Sequence, residues 1–110
     1  MTPHIMLTRL SPEAASTPDA IETLERRAMA AVREECPTVE WLHSWAVLGP
    51  YDYVDVFRAP DALTATRVAT LVRLAGHATT EVWVATDWKD FRGLVRELPD
   101  AVRFAATAAG

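Results

Sequence analysis

The sequence predicts a small α+β domain whose elements follow the order β-α-β-β-α-β, with one more helix after the last strand. Four short segments are rich in β-branched and aromatic residues, and they alternate with segments whose apolar residues recur at helical spacing. Proline, glycine and aspartate turn signals separate them. The chain has 110 residues, half of them apolar, which suits one globular domain.

The first two elements are a strand and a helix. Residues 4–10 read HIMLTRL, which is typical of a strand. Thr17 and Pro18 then form the pattern of an N-cap followed by proline at the first helical position. Pro37 is predicted to end the helix. Its apolar stripe consists of Ile21, Leu24, Ala28 and Val32.

A β-hairpin is predicted next. Residues 39–48 read VEWLHSWAVL and residues 51–58 read YDYVDVFR, and both segments are typical of strands. Gly49 and Pro50 between them are typical of a turn. We therefore expect the second and third strands to pair in antiparallel fashion.

The remaining elements are a helix, a strand and a final helix. Pro60 and Asp61 open the second helix, and Gly76 is expected to stop it. Residues 79–85 form the fourth predicted strand. Asp87 is expected to cap a third helix that Pro99 ends. The apolar face of this helix carries Trp88, Phe91, Leu94, Val95 and Leu98.

This element order is that of the ferredoxin-like fold, an antiparallel sheet with two helices on one face. Residues 1–98 are predicted to form the single domain, and residues 99–110 an Ala-rich C-terminal tail. The face without helices would be wet in a monomer. A second copy of the chain is therefore expected to cover it, which makes the protein a homodimer.

Composition excludes several classes of function. The formal net charge is −4, with 15 acidic and 11 basic residues, so nucleic-acid binding is not expected. One cysteine, Cys36, excludes an intrachain disulfide and a Cys-rich zinc site, and the three histidines show no ligand spacing. We expect no metal and no cofactor, since no phosphate-binding glycine motif is present.

The predicted setting is the cytoplasm. No apolar run approaches the length of a membrane span, so no membrane partner is expected. The first residues lack the basic and apolar regions of a signal peptide.

Three short motifs resemble those of the GYD family of small α+β proteins. They are Gly49-Pro50-Tyr51-Asp52, Ala59-Pro60-Asp61, and the segment 76–81, which reads GHATTE. The similarity spans roughly residues 4–98. The resemblance implies a dimeric α/β barrel, in which two sheets pack face to face around a shared cavity, but it implies little about activity.

Strand alternation predicts an open sheet face that is rich in aromatic and titratable side chains. The small and β-branched alternatives, such as Val54 and Val56, are expected to lie under the helices. The open face would then gather Trp41, His43, Trp45, Tyr53, Asp55, Phe57, Glu81 and Trp83.

The hairpin register conflicts with part of this assignment. A strict two-residue turn at Gly49 and Pro50 would pair Leu48 with Tyr51 and move Asp55 to the other face. A bulge or a longer turn near Gly49 is therefore required to restore the assignment.

The predicted open face suggests a pocket for a small, largely apolar organic molecule. Trp41, Trp45, Tyr53, Phe57 and Trp83 would bind the ligand. His43, Asp55 and Glu81 are the candidate catalytic groups for cofactor-independent proton transfer, as in a cyclase, isomerase or dehydratase. Two alternatives remain open: a non-catalytic binding or sensing module, and a structural interaction domain whose aromatic residues are simply the dimer core.

Overall fold

The computed structural model describes residues 1–98 of the chain. The predicted tail, residues 99–110, and the predicted helix end at Pro99 lie outside the described residues. The elements follow the expected order. They are β1 (Thr2–Leu10), α1 (Pro18–Glu35), β2 (Glu40–Ala46), β3 (Tyr53–Ala59), α2 (Ala62–Gly76), β4 (Ala78–Val84) and α3 (Trp88–Arg96).

The four strands form one antiparallel sheet in the order β2-β3-β1-β4. The helices α1 and α2 pack side by side on one face of it, and the hydrophobic core lies between them and the two central strands. Phe57 and Val68 are fully buried there, and Met6 is almost so. The predicted α+β, ferredoxin-like fold with a C-terminal helix is confirmed.

Helix starts follow the sequence signals more closely than helix ends. Thr17 caps α1 by accepting a hydrogen bond from the Ala20 amide at 3.0 Å, and Asp61 caps α2 through the Thr64 amide at 2.7 Å. Gly76 was expected to stop α2, but it is the last helical residue. The left-handed residue that ends the helix is His77, with φ of 49°.

Residues 50–52 in the turn between β2 and β3 form hydrogen bonds with β1 and hold the hairpin against it. The Leu10 amide donates a hydrogen bond to Asp52 Oδ2 at 2.8 Å, and the Asp52 amide donates to the Thr8 carbonyl at 2.9 Å. Arg9 donates to the Pro50 carbonyl at 2.8 Å and lies over the Tyr51 ring. These contacts explain why tyrosine and aspartate occur together at this turn.

Strand pairing decides which side chains face the helices. Residues His4, Met6 and Thr8 of β1 are buried on the helix-covered face. In β4, Val82 pairs with Met6 and shares that face, so Glu81 and Trp83 lie on the opposite, open face as expected. His43 and Trp45 of β2 also lie on the open face, opposite Val56 and Val54.

The predicted orientation of β3 was wrong. Asp55 pairs with Met6, Tyr53 with Thr8 and Phe57 with His4, so these three β3 residues face the helices. Val54 and Val56 point to the open face instead. The physical reason is that Phe57 and Ala59, both fully buried, supply the core under α1 and α2.

Trp41 was also assigned to the wrong face, because the bulge lies elsewhere than expected. The pairing next to the turn is the strict one, with Ala46 opposite Tyr53. The register shifts further along β2, between Trp41 and His43, where Leu42 is the extra residue. Trp41 therefore faces the helices, and its ring stacks on that of Phe57 with centroids 5.3 Å apart.

The helix α3 follows β4 and is exposed on every side. Asp87 precedes it, but its carboxylate makes no capping bond; it pairs with Arg58 at 3.3 Å. Four of the five residues of the predicted apolar face lie on this helix, Leu98 lies just beyond its end, and none of the five is buried.

Candidate functional site

A cavity of about 320 Å³ lies between α1 and the helix-covered face of the sheet. Its wall is mainly apolar. Side chains of α1 form the roof, strands β1, β2 and β3 form most of the floor, and α2 and the start of β4 close one side. The cavity thus lies within one chain, on the side of the sheet opposite the open face.

A chain of hydrogen bonds crosses the polar part of the floor. The Trp41 indole Nε1 donates to Ser44 Oγ at 2.8 Å. Ser44 Oγ in turn donates to Asp55 Oδ1 at 2.6 Å. Ser44 and Asp55 are paired residues on neighbouring strands, so the strand register itself holds the serine against the carboxylate.

The carboxyl group of Asp55 is partly withdrawn from water. Burial raises its pKa above the ordinary value, because the charged form is less well solvated. The Ser44 and Trp41 hydrogen bonds oppose this by stabilising the carboxylate, and the negative charge of Glu25 on α1 adds to the increase. Burial also raises the pKa of the Tyr53 phenol, with the nearby carboxylates adding to it.

Thr8 contributes an unpaired hydroxyl to the same cavity. The residue is 3% exposed and lies on the helix-covered face of β1. Its Oγ1 is the buried side-chain atom without a hydrogen-bond partner among the described residues. A hydroxyl left without a partner costs free energy, so its position at a cavity wall marks a place where a ligand or water would bond.

The structure brings together the side chains of three of the eight residues that the sequence singled out. Trp41, Tyr53 and Asp55 line the cavity with side chains on its own face of the sheet; Trp45 borders it as well, but its ring stacks on His43 on the open face. Phe57 is close-packed in the core beside it, stacked between His4 and Trp41.

The three predicted catalytic residues do not converge. His43 is exposed on the open face, where its ring stacks on Trp45 with centroids 4.9 Å apart. Glu81 lies on the same face and accepts hydrogen bonds from the Tyr51 hydroxyl and from Trp83 Nε1. Asp55 is on the other side of the sheet, so the expectation that it shares one face with His43 and Glu81 was wrong.

Sequence reasoning missed Thr8, Ser44 and Glu25 as site residues. Thr8 lies between Met6 and Leu10 in the inward row of β1, and its polar side chain there is the one signal that could have identified it. Ser44 reads as a small core-facing residue, and Glu25 as part of a solvated helix face. Only the strand register and the packing of α1 over the sheet bring them to the cavity.

The described residues, 1–98, offer neither a metal-binding cluster nor a membrane-spanning helix. No group of three His, Cys, Asp or Glu side chains in this part of the chain is placed to hold a metal ion. Within the same range, no helix combines the length and the apolar character needed to cross a bilayer.

Replacing Thr8 with valine tests the unpaired hydroxyl. Thr8→Val keeps the shape of the side chain and removes the buried polar atom, so the free energy of unfolding should rise by about 1–3 kcal/mol. Thr80→Val is the control, because Thr80 Oγ1 accepts a hydrogen bond from Arg73 at 2.7 Å. Urea unfolding measures both variants. An equal gain in the control would mean that valine simply favours strands.

Replacing Asp55 with asparagine tests its environment through pH. A raised pKa means that the folded protein keeps this proton to higher pH than the unfolded chain does. The stability this contributes is complete below the unfolded-state pKa and is lost as the pH rises through the folded-state pKa. Asp55→Asn should therefore gain stability relative to the wild type as the pH rises from about 4 to 7. A difference in the free energy of unfolding that stays constant, or that shifts in favour of the wild type as the pH rises, would contradict the assignment.

Comparison with known proteins shows the family and the fold. The family model described as GYD domain matches residues 4–95. A search of curated proteins found no match. Among solved structures, the leucine response regulatory protein LrpA of Mycobacterium tuberculosis is similar, with a TM-score of 0.55 and 17% identity over 78% of this chain.

The chain spans about half the length of LrpA, 51%. The protein TTHA0845 from Thermus thermophilus is also similar, with a TM-score of 0.53 and 23% identity. That match covers 78% of this chain and 94% of the other. At these identities the two structures show the fold alone, whereas the family match covers most of the chain. The chain belongs to the GYD domain family.

Proposed function

We propose that this protein binds a small, largely apolar organic molecule in the cavity between α1 and the sheet. The observation that carries the proposal is a cavity of about 320 Å³ whose mainly apolar wall includes one partly buried carboxyl group and one unpaired hydroxyl. Small-molecule sites typically combine such a wall with a few convergent polar groups. The ligand would make apolar contacts with Leu24, Trp41 and Tyr53.

Proton transfer at Asp55 is the second candidate function. A raised pKa brings the titration of a carboxyl group closer to neutral pH, where the group can both give and accept a proton. Ser44 fixes the orientation of the carboxyl through a hydrogen bond of 2.6 Å. An enzyme built this way would isomerise, cyclise or dehydrate its ligand without a cofactor, with Asp55 rather than His43 in contact with it.

The non-catalytic alternative is a ligand-sensing module. The likeness in fold to a protein named as a leucine response regulatory protein supports this alternative. Turnover separates the two: a sensor binds its ligand and releases it unchanged.

A homodimer formed through the open face is the second part of the proposal. This face presents Trp45 and Trp83, each 50% exposed, on the two edge strands. Between them lie Ile5, Val54 and Val56 of the central strands. An apolar strip across a whole sheet face is typical of an interface, and a two-fold axis would bury the strip of each copy on that of the other.

Filling the cavity tests ligand binding. Leu24→Trp places a larger side chain on the α1 roof and should weaken binding of N-phenyl-1-naphthylamine, a neutral fluorescent probe, by about tenfold or more, because the added ring occupies the space of the ligand. Arg27→Trp is the matched control on the exposed side of α1 and should leave the affinity unchanged. Fluorescence titration gives both constants. Equal affinities in the two variants would place the probe elsewhere.

Charge on the open face tests the dimer. Light scattering of the wild type should give twice the chain mass of 12.1 kDa. Trp83→Glu should give a monomer, because it would bury two unpaired carboxylates at the interface. Leu63→Glu is the control, since Leu63 is 70% exposed on α2. A wild-type monomer, or a Trp83→Glu dimer, would contradict this interface.

A further inference from the structure

The charges around the cavity are of one sign. The described residues that line it include two carboxylic acids, Asp55 and Glu25, and no lysine, arginine or histidine. An anionic ligand would therefore meet repulsion without a compensating cation, and its desolvation would not be offset. A cationic ligand would meet attraction from both acids.

The hydrogen-bonding groups of the floor favour a donor in the ligand. Asp55 Oδ1 accepts from Ser44, and a carboxylate has further acceptor sites beyond that bond. Thr8 Oγ1 has no partner among the described residues, and the residue is only 3% exposed. The Ser44 hydroxyl proton is already used. A ligand group with several N–H donors matches this set.

The strand register sets the spacing of these acceptors. Asp55 pairs with Met6, and Thr8 is two residues further along β1 on the same face. Such diagonal positions on neighbouring strands lie about 7–8 Å apart, close enough for one small polar group to reach both side chains. The Trp41 and Tyr53 rings beside them can also stabilise a cation through their π faces.

We propose that the cavity selects molecules with an apolar body and one primary amine, whose ammonium group is held by Asp55, with Thr8 and Glu25 as additional acceptors. This inference rests on the proposed ligand site and names the class of its ligand. The ammonium group forms charge-assisted hydrogen bonds with the Asp55 carboxylate, and the apolar body fills the space beneath α1.

Three compounds with the same naphthalene frame test the inference: 1-naphthylmethylamine, 1-naphthalenemethanol and 1-naphthoate. Calorimetric titration of the full chain at neutral pH should rank them amine, alcohol, acid, with the amine at least about tenfold tighter than the alcohol. An acid that binds as tightly as the amine, or equal affinities for all three, would overturn the amine preference and leave the ligand site standing. Absence of binding by all three would overturn both.

Two variants test whether Asp55 causes the preference for the amine. Asp55→Asn keeps an oxygen that can accept a hydrogen bond from Ser44 and removes the charge. It should therefore weaken binding of the amine by about tenfold and leave the affinity for the alcohol within about threefold of the wild-type value. Asp90→Asn, on the exposed helix α3, is the control for the loss of one negative charge and should change neither. An Asp55→Asn protein that still prefers the amine to the same degree would overturn the role of Asp55, and equal losses in both variants would show only a general effect of charge.

Discussion

The extra residue in β2, Leu42, is the constraint on which the candidate site depends. The hairpin keeps its strict register from the turn as far as His43, which places Ser44 opposite Asp55 on the helix-covered face. Without the bulge, alternation would carry Trp41 to the open face beside His43. The register shift returns Trp41 to the helix-covered face, where it stacks on Phe57 and donates to Ser44. One irregular position thus assembles both the aromatic wall and the hydrogen-bond chain that orients Asp55.

Two groups at the cavity wall, the Asp55 carboxyl and the Thr8 hydroxyl, lower the stability of the empty protein. A carboxyl group withdrawn from water is destabilising in its charged form, and a buried hydroxyl without a partner is destabilising in any form. Both lie at the same wall of the same cavity. A ligand that donates hydrogen bonds would relieve both, and this supports the proposed ligand site. The opposite sheet face carries the apolar strip, so the proposed ligand site and the proposed dimer interface lie on different faces.

The element order and the helix starts were predictable, because local signals such as Thr17-Pro18 and Asp61 act within a few residues. The face of β3 was not. Alternation predicted the valines under the helices and the polar or aromatic residues outside. Instead Phe57 fills the core, and Asp55, two residues earlier in the same strand, therefore faces inward as well. The bulge carries no glycine or other local signal in Trp41-Leu42-His43, so alternation alone misplaced Trp41. Thr8 and Glu25 meet only through tertiary packing, which no spacing in the sequence records.

Nuclear Overhauser spectroscopy tests most directly whether the Leu42 bulge returns Trp41 to the helix-covered face, beside Ser44 and Asp55. The Trp41 ring protons should show contacts to the Phe57 ring, whose centroid lies 5.3 Å away, and its indole N–H should show contacts to the Ser44 β protons. The His43 ring should instead show contacts to Trp45. Contacts from Trp41 to His43 or Trp45 ring protons, with none to Phe57, would show uninterrupted alternation in β2 and contradict the account.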